Sequence, residues 1–130
     1  MTANPHPHSN PDCRAVSELL SRVGDKWTAL IVRALDAKPE GEGARFNELK
    51  REIGGISQQM LTRTLRTLER DGMARRTVHP TVPPQVEYDL TPLGRSLARP
   101  VGALVDWTFA NLPEIHANRD AYDTAAVRAA

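Results

Sequence analysis

From Asp12 onward the apolar positions follow a helical rhythm. Val16, Leu19, Leu20 and Val23 recur at three- and four-residue spacing, as on one face of an amphipathic helix. Asp12 is placed to cap its start and Gly24 to end it. Asp25 is placed to cap a second helix, in which Trp27, Leu30, Ile31, Ala34 and Leu35 repeat the spacing. Between Asp36 and Gly43 the period is lost among charges, Pro39 and two glycines, which reads as a loop. The pattern then predicts a short helix capped by Asn47, with Leu49 and Ile53 inward. Gly54 and Gly55 make a tight turn. Ser57 caps a further helix that buries Leu61, Leu65 and Leu68 and stops at Gly72. Two helices joined by a short glycine turn have the form of a helix-turn-helix.

After Gly72 the period changes to two. Met73 to His79 and Val86 to Leu90 read as strands, with Val86, Tyr88 and Leu90 alternating with Glu87 and Asp89. The intervening Pro80 to Gln85 contains Pro83 and Pro84, which fits a protruding hairpin loop and not a central strand. Thr91 and Pro92 open a last long helix, as a capping hydroxyl followed by proline at the first helical position. Its stripe of Leu93, Leu97, Val101, Leu104, Val105 and Leu112 is widened by Trp107 and Phe109 on its flanks. So wide an apolar arc needs cover on more than one side, and a second subunit is the natural cover. Pro100 should kink this helix, and Pro113 should end or sharply bend it.

These elements predict a mainly α chain with a small β-hairpin wing, a winged helix-turn-helix whose last helix is covered by a second subunit. Residues 1–11, polar and proline-punctuated, read as a flexible tail. Residues 12–112 read as the DNA-binding and dimerisation domain, and residues 113–130 as a partly helical extension.

Composition narrows the class. With 130 residues, 40% of them apolar, the chain is one domain's worth and ordinary for a globular protein. A single cysteine, Cys13, allows no intrachain disulfide, which fits a reducing compartment. No apolar run reaches membrane-spanning length and no signal core opens the chain, so the expected location is cytoplasmic. There is no glycine-rich phosphate loop and no metal cluster, and Ser17, Ser21 and Ser57 have helical or capping roles that need no catalytic triad to explain them. His6 and His8 lack neighbouring ligands, and His79 and His116 are isolated. No cofactor and no enzymatic activity are expected.

Charge singles out one segment. The whole chain is only +1, but Arg45 to Arg76 holds eight basic residues against four acidic ones, a net of +4. On the Ser57 helix, the face opposite the leucines carries Gln58, Gln59, Thr62, Arg63 and Arg66. Such a face is usually just solvated. Here its setting and charge favour reading DNA bases in the major groove, where glutamine suits adenine and arginine suits guanine. Arg45, Lys50, Arg51, the Ser57 hydroxyl and the wing's Gln85 are then candidates to hold the phosphate backbone. A winged-helix module that binds protein instead of DNA is the main rival, and the excess of arginine and lysine argues against it.

The segments Gly24-Asp-Lys-Trp27, Arg45-Phe-Asn-Glu-Leu49, Gly55-Ile-Ser57, Leu61-Thr62, Leu68-Glu-Arg-Asp-Gly72, Val82-Pro-Pro84, Val86-Glu-Tyr88 and Leu90-Thr-Pro-Leu-Gly94 together resemble the HxlR-type regulators. These are bacterial winged-helix proteins similar to the MarR group. The resemblance spans roughly Cys13 to Leu112. It implies a dimer built from the first and last helices, bound to a pseudo-palindromic operator on double-stranded DNA. Members often carry a cysteine near the N-terminus, and some resemble sensors of oxidants or electrophiles. Cys13 matches that position. At the first turn of a helix, unpaired N–H groups and the helix dipole favour a negatively charged sulfur. The competing reading packs Cys13 into the dimer interface as a small apolar residue. A small-molecule effector between the dimer and DNA-binding helices stays open, although core packing is the simpler role for Trp27 and Trp107. The sequence departs from the family pattern in Arg14 after the cysteine, in Gln85 where the wing commonly has arginine, and in a longer loop between Asp36 and Ala44.

Overall fold

The computed structural model describes residues 11–129. Of the tail expected over residues 1–11, residues 1–10, with His6 and His8, lie outside the described residues, and Pro11 belongs to a helix. Helix α1 spans Pro11–Val23 and α2 spans Lys26–Asp36. Pro11 is itself helical, so Asp12 lies in the first turn of α1 and not at its cap. Proline at a helix start needs no N–H partner and its φ is already helical. Asp25 caps α2 as its position suggested: its Oδ2 accepts from the Trp27 and Thr28 N–H groups at 3.1 and 3.2 Å.

The loop after α2 leads into a two-residue strand, β1 (Ala44–Arg45), and then α3 (Phe46–Ile53). This start corrects the expectation of Asn47 as the cap. Arg45 is the capping residue, with extended backbone, and the Glu48 side chain accepts its N–H at 3.3 Å. Arg45 is also paired in the sheet, so the chain turns into helix one residue after it and Asn47 falls inside.

Helix α4 spans Gln58–Arg70, and the Ser57 hydroxyl accepts the Met60 N–H at 3.0 Å. Gly72 follows it with φ +76°, a left-handed turn that glycine adopts without steric cost. Strands β2 (Ala74–His79) and β3 (Gln85–Leu90) pair antiparallel, Ala74 opposite Leu90 and His79 opposite Gln85. The sheet has three strands, not two, because β1 adds to the free edge of β3, with Ala44 opposite Tyr88.

Helix α5 runs unbroken from Pro92 to Ala129. Its 38 residues correspond to about 57 Å. The expected stop at Pro113 is therefore corrected: Pro113 and Pro100 both lie inside the helix, and the C-terminal segment continues α5 and is not a separate helix. Each proline removes one backbone donor. Phe109, whose carbonyl Pro113 leaves without its usual donor, is exposed, so water can take that donor's place.

The core lies where α2, α3 and α4 meet the sheet and the start of α5. Ile31, Val32, Leu35, Leu49, Leu61 and Leu65 are fully buried there, and Trp27, Phe46 and Leu97 pack against them. Each buried aliphatic side chain of this size contributes about 1.5–3 kcal/mol. Thr91 joins the end of the helix-turn-helix to α5. Its hydroxyl donates to the Gly72 carbonyl at 2.6 Å and accepts the Gly94 N–H at 3.1 Å. Trp107 is no part of this core, being 55% exposed. Val16, Leu19 and Leu20 on α1, and Leu104, Phe109 and Leu112 on α5, are also exposed. Among the described residues no helix is long and apolar enough to cross a membrane.

Candidate nucleic-acid interface

The Ser57 cap and the buried Leu61, Leu65 and Leu68 fix both the start and the rotation of α4. The opposite face is left outward by geometry. There Gln58, Gln59, Thr62, Arg63 and Arg66 line one shallow groove, so all five residues expected to read bases are brought together. Thr67 and Arg70 continue the groove toward the helix C-terminus. Sequence reasoning did not name them, although they extend the same helical spacing. Two α4 threonines bond back to their own helix, Thr64 to the Met60 carbonyl at 2.8 Å and Thr67 to the Arg63 carbonyl at 3.0 Å. Thr62 makes no such bond among the described residues, which leaves its hydroxyl available to a ligand.

A second concave surface lies between the start of α3 and the wing. Arg45, Asn47, Glu48, Arg51, Pro84 and Gln85 line this notch. Arg45 donates from Nη2 to the Gln85 Oε1 at 2.8 Å, so two residues forty positions apart are held together. The Gln85 side-chain N–H groups make no hydrogen bond among the described residues. Lys50, also expected to hold the backbone, is exposed in the last turn of α3 and does not line the notch.

Four arginines elsewhere on the fold are held in ion pairs. Arg22 pairs with Asp71, Arg33 with Asp106, Arg75 with Asp89 and Arg95 with Asp36, all at 3.1–3.3 Å. Among the described residues Arg51, Arg63, Arg66 and Arg70 have no acid within ion-pairing distance. Arg63, Arg66 and Arg70 lie together in the α4 groove and Arg51 lies beside Arg45 in the wing notch. The other arginines without an ion pair among the described residues, Arg14, Arg76, Arg99, Arg119 and Arg128, line neither surface. Unpaired guanidinium groups suit phosphate recognition, because their planar donors match two phosphate oxygens at once.

A residue that sequence reasoning passed over sits beside the notch. Lys38, in the loop after α2, donates from Nζ to Glu48 Oε2 at 2.9 Å and to Glu52 Oε1 at 2.6 Å. The bonds to Glu52 and Glu48 raise the Lys38 pKa. The Lys38 bond, helped by the Arg45 N–H, holds the Glu48 carboxyl below its ordinary range. Two acids four residues apart on α3, facing a lysine in an adjoining loop, were the signal that could have found it.

Cys13 is half-buried in the first turn of α1. No group of three or more His, Cys, Asp or Glu residues is arranged to hold a metal among the described residues.

Residues 22–116 match the family model for the HxlR-like helix-turn-helix. The chain is 48% identical over 104 residues to the uncharacterized HTH-type transcriptional regulator YtfH of Escherichia coli (strain K12), covering 79% of each. Its fold is similar to the solved structure of ytfH from Salmonella typhimurium, with TM-score 0.72 and 43% identity over 81% of this chain and 90% of that one. It is also similar to the redox regulator HypR in its oxidized form, with TM-score 0.65 and 38% identity over 75% of this chain and 96% of that one. The relatives are transcriptional regulators and not enzymes, and this chain belongs to the HxlR-like helix-turn-helix family.

Proposed function

We propose that the chain is a sequence-specific DNA-binding transcriptional regulator that acts as a homodimer on a pseudo-palindromic operator. The observation that supports this best is the gathering of unpaired arginines with Gln58, Gln59 and Thr62 in one outward groove along α4. A helix with this face suits the major groove, where its N-terminal side chains meet base edges. The notch of Arg45, Arg51 and Gln85 would hold flanking phosphates, and Lys50 and Ser57 would add backbone contacts. With glutamine at position 85 the wing supplies an amide instead of a positive charge. The charge at the notch then comes from Arg45, which Gln85 orients.

Dimerisation accounts for the apolar surface that the single chain leaves open. Leu20 on α1 is 62% exposed and Phe109 on α5 is 71% exposed. Burying such side chains against a second copy removes apolar area from water, at about 25 cal/mol per Å². Sedimentation of the wild type as a dimer, and of the Leu20→Glu, Leu104→Glu double variant as a folded monomer, is the expected result. A wild type that sediments as a monomer at micromolar concentration contradicts it.

Cys13 carries the redox part of the proposal. Oxidation of its thiol by a peroxide gives a sulfenic acid, which condenses with a second thiol to a disulfide and releases water. The second thiol belongs to the other subunit or to a small molecule, since Cys13 is the chain's one cysteine. Its place on α1, beside the exposed Val16, couples such a bond to the apolar face. DNA affinity that falls on peroxide treatment in the wild type but not in Cys13→Ser supports the role. An identical response in both removes it.

A further inference from the structure

The notch that would hold phosphate contains a carboxylate. Glu48 lines it together with Arg45, Arg51 and Gln85. A bare carboxylate there would repel the DNA backbone, because charges within about 8 Å interact strongly at physiological salt. Glu48 is also hard to dispense with, since it accepts the Arg45 N–H and so helps start α3. One turn on, Glu52 adds a second negative charge to the same helix.

The loop after α2 brings a cation to both. Lys38 Nζ lies 2.9 Å from one Glu48 oxygen and 2.6 Å from one Glu52 oxygen. It does not line the notch itself. We propose that Lys38 is a positioning residue of the DNA-binding surface, which does not touch DNA but masks Glu48 and Glu52 so that phosphate can approach Arg45 and Arg51. This rests on the DNA-binding reading above. It also gives the long loop between Asp36 and Ala44 a purpose: the loop carries a counter-charge to the edge of the interface.

A double-mutant cycle on DNA affinity tests it, with a random-sequence duplex at about 50 mM salt, where phosphate contacts dominate. Lys38→Met keeps the aliphatic stem and removes the charge. It should weaken binding about three- to tenfold. Arg128→Met, which removes the same charge at the far end of α5, should change binding by less than about twofold. Glu48→Gln retains an acceptor for the α3 cap. It should raise affinity at least about threefold more in the Lys38→Met background than in the wild type. Equal gains in the two backgrounds overturn the proposal and make Lys38 a direct phosphate contact or a bystander. Far-UV circular dichroism and thermal melts establish that each variant is folded. If Lys38→Met melts early, the cycle is read in Lys38→Gln instead. A wild type that binds no duplex overturns the DNA-binding reading as well, whereas a wild type that binds with additive substitutions overturns this inference alone.

Discussion

Arg22 in the last turn of α1 donates to Asp71, the C-cap residue of α4, with Nη1 3.1 Å from Oδ2 and 3.3 Å from Oδ1. This pair ties the helix proposed for dimerisation to the end of the helix proposed to read DNA. Elsewhere an open cleft separates them, with Glu18 and Ser21 on one wall and Arg63 and Thr67 on the other. Because both partners are partly exposed, the pair should contribute only about 0.2–1 kcal/mol to stability. Arg22→Ala should therefore lower the melting temperature slightly and speed amide exchange in α1 by up to about fivefold. Unchanged exchange in α1 would show that other contacts hold the helix.

Arg63 has a sharper test. If its guanidinium is bidentate to a guanine, Arg63→Ala costs about 1–3 kcal/mol on the cognate operator and little on random DNA. Equal losses on both duplexes would reassign it to phosphate. Ser57→Ala should cost about 1 kcal/mol of stability through the lost Met60 N–H bond, a change read by denaturant titration.

Gly94 is buried at the start of α5, and a Cβ there would overlap the Met73 carbonyl oxygen and press on Leu90. Because the obstacle is backbone, no rotamer change relieves it. Gly94→Ala should destabilise the fold by about 1–3 kcal/mol. Gly102, in the same helix, has open space around its missing Cβ, and Gly102→Ala should be neutral or slightly stabilising. Similar melting temperatures for the two variants would contradict this packing.

The link between the loop and α3 should depend on pH in a defined direction. The Glu48 pKa is lowered from 4.5, first by the Lys38 bond and then by the Arg45 N–H. Its contribution is therefore complete above the ordinary carboxylate value and disappears as pH falls through the lowered one. The Lys38 pKa is raised from 10.5, first by Glu52 and then by Glu48. That contribution is complete below the ordinary lysine value and disappears as pH rises through the raised one. Amide exchange in the loop should thus be slower in the wild type than in Lys38→Met between these two limits, and the difference should vanish in acid. A difference that persists in acid would assign the effect to packing of the lysine stem.

Signals that act within a few residues were legible in the sequence. Asp25, Ser57 and the Thr91–Pro92 pair all cap the helices they were expected to cap, because each side chain needs only the next turn of its own chain. The groove on α4 was legible for the same reason, since helical period alone sets which residues share a face. Asp12 failed locally, because Pro11, one residue before it, already starts α1, but other misses depended on distant partners. Asn47 was expected at the cap, but the pairing of Arg45 with Glu87 in the sheet moves the helix start. The third strand is two residues long and leaves no period to detect. Pro113 reads as a stop only if its helix needs that hydrogen bond, and an exposed helix can give it to water. Lys38 sits in a loop without pattern, and its two carboxylates lie ten and fourteen residues away.

The central claim is that α4 and the wing notch bind DNA. The most direct measurement is the affinity of the purified chain for the duplex upstream of its own gene and for a random duplex of equal length, each titrated over salt. We expect tight, selective binding whose logarithm falls linearly with the logarithm of salt concentration, as phosphate contacts release counterions. We expect the selectivity to disappear in Gln58→Ala, Arg63→Ala. Affinity that is absent on both duplexes, or indifferent to salt, would contradict the account and favour a winged helix that docks on protein.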